Sequence, residues 1–193
     1  MTSRFLLLIL TALAFVGASC DINDPFTIGL NLPLEACGEI DAGNTWNEDA
    51  TYNIREEIAN VSESYLEDVK ATRVVDIQVY MPAPPSGQGT GSGVVQCALD
   101  GVPLDTILTF TNVPFSSFGG NGISLGTAIT TPTQVRVDTA FLHLLESRLN
   151  SNVGLPAVTT VRVVSRGSTS TSVPAGTQIC ARIQYQADIE ISP

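Results

Sequence analysis

The chain has 193 residues and a formal net charge of −10, with nine Lys and Arg against 19 Asp and Glu. So acidic a balance argues against nucleic acid and against electrostatic adhesion to anionic lipid, both of which need clustered Lys and Arg. One histidine, His143, rules out a His-rich metal cluster, and four cysteines leave room for a disulfide framework.

Residues 1–19 open with Met-Thr-Ser-Arg, run almost wholly apolar from Phe5 to Val16, and close on Gly17-Ala18-Ser19 before Cys20. A short basic start, about a dozen apolar residues and small residues are the parts of a secretion signal. The run falls short of the roughly 20 residues that a bilayer span needs. These residues resemble bacterial lipoprotein signals, in which the cysteine after the small residues is lipidated and becomes the mature N-terminus. That family usually has Leu, Val or Ile where Gly17 stands. The resemblance implies a lipid on Cys20 and an anchor in a membrane; the alternative is cleavage after Ala18 or Ser19 with Cys20 a plain thiol.

Residues 20–25 read as a tether and residues 26–193 as one domain, since no linker divides them. Phe26, Ile28, Leu30, Leu32 and Leu34 alternate with smaller or polar residues, the mark of a half-buried strand, and Pro33 places it at a sheet edge. Residues 37–52 are acidic and turn-rich. Asp41, Asn44, Glu48 and Asp49 offer oxygen ligands of the kind calcium takes, although their spacing is not that of an EF-hand. Trp46, in the same stretch, is either a core residue or a platform for stacking a sugar.

Ile54, Ile58, Val61, Tyr65 and Val69 recur at helical spacing, which predicts a helix over 53–71 capped by Asn53, with Glu56 and Glu57 in its first turn. A strand is expected over 73–81 with Val75, Ile77, Val79 and Met81 on one face, then a Pro- and Gly-rich loop over 82–93. The triplet Gly89, Gly91, Gly93 has no following lysine and helix, so it is no phosphate loop. Strands over 94–99 and 104–111 precede a second Gly-rich loop over 114–126. Phe115 and Phe118 lie in that loop without a period to explain them; they either fold into the core or form an exposed contact surface. A strand over 133–137, a helix capped by Asp138 with Phe141, Leu142, Leu145 and Leu149 inward, and strands over 158–164 and 178–191 complete the chain.

This succession predicts a mainly β fold, an antiparallel two-sheet β-sandwich of immunoglobulin-like character, with two helices in connections that cover an end or an edge. The segments LEDVKATRVVDIQV (66–79) and VRVDTAFLHLLESRL (135–149), with the strands around them, resemble a group of uncharacterised bacterial surface or periplasmic lipoproteins. The resemblance implies a fold and an address, and brings no active residues with it.

No catalytic constellation is present. There is no Gly-x-Ser-x-Gly elbow, no base is placed near a cysteine, and Glu56-Glu57 and Glu67-Asp68 point apart on a solvated helix face. With Cys20 lipidated, Cys37, Cys97 and Cys180 allow one disulfide and one free thiol, the pairing left open. The residues therefore read as a non-catalytic, lipid-anchored protein of the bacterial outer membrane or cell surface, or else a periplasmic or secreted one, that binds a protein partner or serves as an accessory envelope component, without a cofactor. Two alternatives stand beside it: a glycan- or calcium-binding surface module, and an enzyme whose site is assembled from scattered acids.

Overall fold

In the computed structural model, which describes residues 26–61, 69–100, 102–149 and 160–191, the period-two stretches at the two ends of the described chain pair with each other. β1 (Phe26–Glu39) runs antiparallel to β9 (Gln178–Ile191) from Phe26 opposite Ile191 to Glu39 opposite Gln178. Leu32, Leu34 and Ala36 on β1, and Ile179, Ala181, Ile183, Tyr185, Ala187 and Ile189 on β9, are buried, as the alternation requires.

Between them lie β2 (Thr45–Asn53), helix α1 (Ile54–Val61), β3 (Val69–Tyr80), β4 (Thr90–Leu99) and β5 (Val102–Pro114). A 3-10 turn (Phe115–Phe118), β6 (Ile123–Ser124), α2 (Leu125–Thr130), β7 (Val135–Val137), α3 (Thr139–Leu149) and β8 (Thr160–Thr169) follow. The strands form two antiparallel sheets, one in the order β1-β9-β3-β6 and one in the order β2-β8-β4-β5-β7. Inward residues of both sheets meet in one apolar core, a sandwich-like arrangement. β1 lies at a sheet edge, as Pro33 suggests. The Tyr52 hydroxyl of β2 covers that edge: it donates to the Glu35 carbonyl and accepts from the Glu35 N–H at 2.9 Å.

Helix α1 does not reach residue 71, where its periodicity predicts its end, because β3 begins at Val69. Ile54 and Ile58 are fully buried and Asn53 caps the helix, its Oδ1 accepting the Arg55 N–H at 3.1 Å. Val61, however, is 55% exposed, and Val69 is buried as the first residue of β3 rather than as a helical one. Tyr65 lies outside the described residues. On β3, Ile77, Val79 and Met81 face the core but Val75 is 46% exposed. A bulge between Val74 and Asp76 inserts one residue, so the alternation slips by one place there.

Three helices are present among the described residues where two were expected; α2 is the addition. α3 packs against β3 of one sheet and β5 of the other, closing the sandwich with Phe141 and Leu145. Asp138 caps it, Oδ1 accepting the Phe141 N–H at 2.9 Å. No described helix is long and apolar enough to cross a membrane. Residues 1–25, which hold the signal, the tether and Cys20, lie outside the described residues.

Cys37 and Cys180 form a disulfide between paired positions of β1 and β9, while Cys97 is a buried free thiol. Such a bridge belongs with an oxidising compartment.

Candidate functional site

The residues nominated for calcium are not brought together. The stretch around them is a strand, and successive strand residues face opposite ways, so Glu48 and Asp49 cannot share an ion. Glu48 lies against Gly38 of β1. Asp49 forms a bidentate pair with Arg162 of β8, Nε lying 2.9 Å from each carboxylate oxygen. Asp41 closes the turn before β2, accepting the Thr45 N–H at 2.9 Å and the Thr45 hydroxyl at 2.8 Å. These bonds, the backbone one foremost, hold its carboxyl below the usual range. Asn44 supplies the left-handed residue of that turn, at φ 61°. Among the described residues, no three His, Cys, Asp or Glu are grouped as a metal would need.

Trp46, Phe115 and Phe118 are core residues. The Trp46 indole N–H donates to Ser165 Oγ at 3.0 Å, and its ring stacks on Phe110 at 6.2 Å and 11°. Trp46, Gly167, Gly93 and Phe110 occupy one row across β2, β8, β4 and β5, so the two rings reach over a floor of two glycines. A methyl on Gly167 would lie 2.4 Å from the Trp46 ring. The same stripe continues outward, with the Phe118 ring over Gly91 and the Phe115 ring over Gly89. This explains both the glycine triplet and the aromatic pair, and why β4 begins at Thr90 although a loop is expected there. No sugar platform and no exposed aromatic patch remains at these positions.

The outer face of the β1-β9-β3 sheet carries a polar cluster. Arg182 Nε donates to Glu35 Oε1 at 2.5 Å and its Nη2 to the Tyr80 hydroxyl at 3.0 Å, with the guanidinium 4.7 Å from the Tyr80 ring centre. Tyr80 in turn donates to Glu35 Oε2 at 3.2 Å. Burial, then the Glu35 charge, push the phenol up, so Tyr80 stays protonated at neutral pH. Each polar group here is engaged by another, so the cluster is held as one hydrogen-bonded unit.

The concave surface lies elsewhere, where the two sheets end in β6 and β7. The β3 bulge aims Asp76 so that its Oδ1 accepts the Leu125 N–H at 3.2 Å, fixing the start of α2. Ser124 and Thr127 secure the same turn, the Ser124 N–H donating to Thr127 Oγ1 at 3.0 Å. At the far end the Thr131 carbonyl accepts the N–H groups of Gln134 and Val135, both at 3.0 Å, turning the chain into β7. Between α2, β7 and the start of α3 a groove of about 440 Å³ opens, lined by Leu125, Ala128, Ile129, Val135, Val137 and Leu142, with Arg136 at its rim. Ile129 is 83% exposed on its lip. A second, more polar hollow of about 550 Å³ shares Arg136, Val137 and Thr139 with the groove and is lined further by Thr106, Thr109 and Asp138. The groove escaped the sequence reading because α2 itself did; the one available signal was the apolar pair Leu125 and Ile129 at helical spacing, straddling the end of the loop expected over 114–126.

No protein-family model matches the chain, and no curated protein matches it. Two structures of turnip yellow mosaic virus align over 88% of this chain, at TM-scores of 0.32 and 0.31 and 13% and 15% identity, covering 84% and 97% of the viral chains. A structure of desmodium yellow mottle tymovirus aligns over 89% of this chain and 91% of its own, at a TM-score of 0.28 and 10% identity. Likeness at this level carries no functional argument.

Proposed function

We propose that this chain is an exported binding protein of the bacterial envelope or cell surface, lipid-anchored through Cys20, that engages its partner at the apolar groove between α2 and β7. The observation that carries the reading is Ile129, a large apolar side chain 83% exposed beside an apolar hollow. Pockets of this size and lining are where proteins hold ligands, and exposed apolar surface beside one marks contact. The leader sequence ending in Cys20 supports the anchor, and the Cys37–Cys180 bridge agrees with export. A binding role, rather than a catalytic one, fits a surface whose polar clusters are internally paired.

The finer reading of the sandwich as immunoglobulin-like rests on two antiparallel sheets packed over a buried tryptophan. The disulfide departs from that pattern, because it joins neighbours in one sheet instead of crossing between sheets.

The test uses the native protein in its own envelope. Cys20→Ser is expected to lose a metabolic fatty-acid label and the membrane fraction. Ile129→Asp is expected to lose the co-isolating partner, while Val75→Asp, the same charge on an exposed site of the other sheet, keeps it. Equal recovery from both aspartate variants, each with an unchanged melting temperature, would remove the groove as the binding face.

A further inference from the structure

We propose that the groove takes an unbranched aliphatic carboxylate of the fatty-acid class, its chain lying between α2 and β7 and its head on Arg136. This rests on the groove being the binding face. The walls are mostly aliphatic, with Thr139 and Arg136 the polar residues and no aromatic ring to stack a planar ligand, and the volume of about 440 Å³ suits a single alkyl chain. Ile129 on the lip can close over such a chain and lose its exposure to water.

Charge complementarity supplies the head group. Arg73, Arg162 and Arg182 each meet a carboxylate of this chain, those of Asp188, Asp49 and Glu35. Among the described residues, Arg136 makes no ion pair, and it borders both hollows. Arg55 and Arg166 have no ion-pair partner among the described residues either, but border neither. Although the chain's net charge of −10 disfavours anions at long range, a guanidinium lining an apolar groove is complementary at contact to a single carboxylate from outside. Asp138, the nearest acid in sequence, lines the polar hollow with Arg136 but makes no ion pair with it, its Oδ1 capping α3. One guanidinium matches one carboxylate better than a polyanion.

The geometry also weighs against an added peptide strand. β7 has three residues, and the N–H of Val135 already donates to the Thr131 carbonyl. Little free backbone is left for strand addition at this edge. Side-chain burial, rather than main-chain pairing, is what the groove offers.

The experiment titrates the purified folded protein with dodecanoate, dodecanol and dodecyltrimethylammonium, each below its micellar concentration, by calorimetry and methyl NMR. Dodecanoate is expected to bind and to shift the methyl signals of Leu125, Ile129 and Val135. Arg136→Gln is expected to weaken dodecanoate by about tenfold, the scale of one charge-assisted hydrogen bond, and to leave dodecanol unchanged. Ile129→Asp is expected to abolish both. Dodecanoate binding no tighter than dodecanol, and indifferent to Arg136→Gln, overturns the carboxylate. Should no alkyl probe bind while Ile129→Asp still loses the partner, the ligand class is wrong and the groove stands as the binding face. Should no probe bind and Ile129→Asp keep the partner, both readings fall.

Discussion

Asp49 accepts hydrogen bonds from two nitrogens of Arg162, and that pairing sets where the carboxyl titrates. The side-chain bond lowers its pKa from the ordinary 3.8, against a smaller opposing effect of burial. A depressed folded pKa means stability that is present above the unfolded value and is lost as pH falls through the folded one. A carboxyl-carbon NMR titration is expected to give a midpoint below 3.8 that rises in Arg162→Gln. Cys97 shifts the other way: burial pushes its thiol from 9.0 to about 12. Its proton is held more tightly folded than unfolded, so this contribution is complete below about pH 9 and declines as pH rises toward 12. At pH 8.5, iodoacetamide is expected to leave Cys97 unmodified in the native protein and to alkylate it in denaturant, read by peptide mass spectrometry.

Elements differ in how they are held, and substitutions separate the cases. Ile58→Ala in α1 is expected to destabilise the protein by about 2–4 kcal/mol, as for other buried large-to-small changes. Val61→Ala, one turn on and exposed, is expected to change stability by less than about 0.5 kcal/mol in the same denaturation series. Gly167→Ala puts a methyl 2.4 Å from the Trp46 ring and 2.3 Å from the Ser92 carbonyl oxygen. A loss of about 1–3 kcal/mol and a shifted tryptophan emission are expected, because neither the backbone nor the stacked ring has room to yield. These contrasts also mark what the sequence makes legible. β1 and β9 are plain because each has one apolar face and pairs in unbroken register. The end of α1 is not, because apolar residues spaced for a helix run on through Val61 to Val69, which β3 claims. β2 hides behind acids: Glu48 stands on its inner side, where a strand pattern wants an apolar residue. The groove is the least legible feature. It is assembled from a six-residue helix without charge and a three-residue strand, and Arg136 is distinguished by its place beside both hollows, which no single sequence reveals.

At the scale of the whole molecule, Cys37–Cys180 links positions 143 residues apart in sequence, leaving only the outer part of β1 and of β9 beyond it among the described residues. Replacing both cysteines by Ala is expected to lower stability by about 2–5 kcal/mol, mostly through a freer unfolded chain, read as a lower denaturation midpoint. The placement of that bond has a mechanical consequence. β1 joins its sheet through β9 alone, and its first rung, Phe26 opposite Ile191, is where a pull from the N-terminal side arrives. Tension across the strands loads such rungs singly, as a zipper opens, and the eleven residues from Phe26 to Ala36 can peel before the covalent rung at Cys37 is reached. At about 3.5 Å per extended residue, the slack released is roughly 40 Å. Beyond it the load passes into β9, flanked on its other side by β3, and is shared across the sheet. Oxidised, the domain pays out a fixed length of tether and stops; reduced, the same pull runs on through Glu39 and strips the edge away.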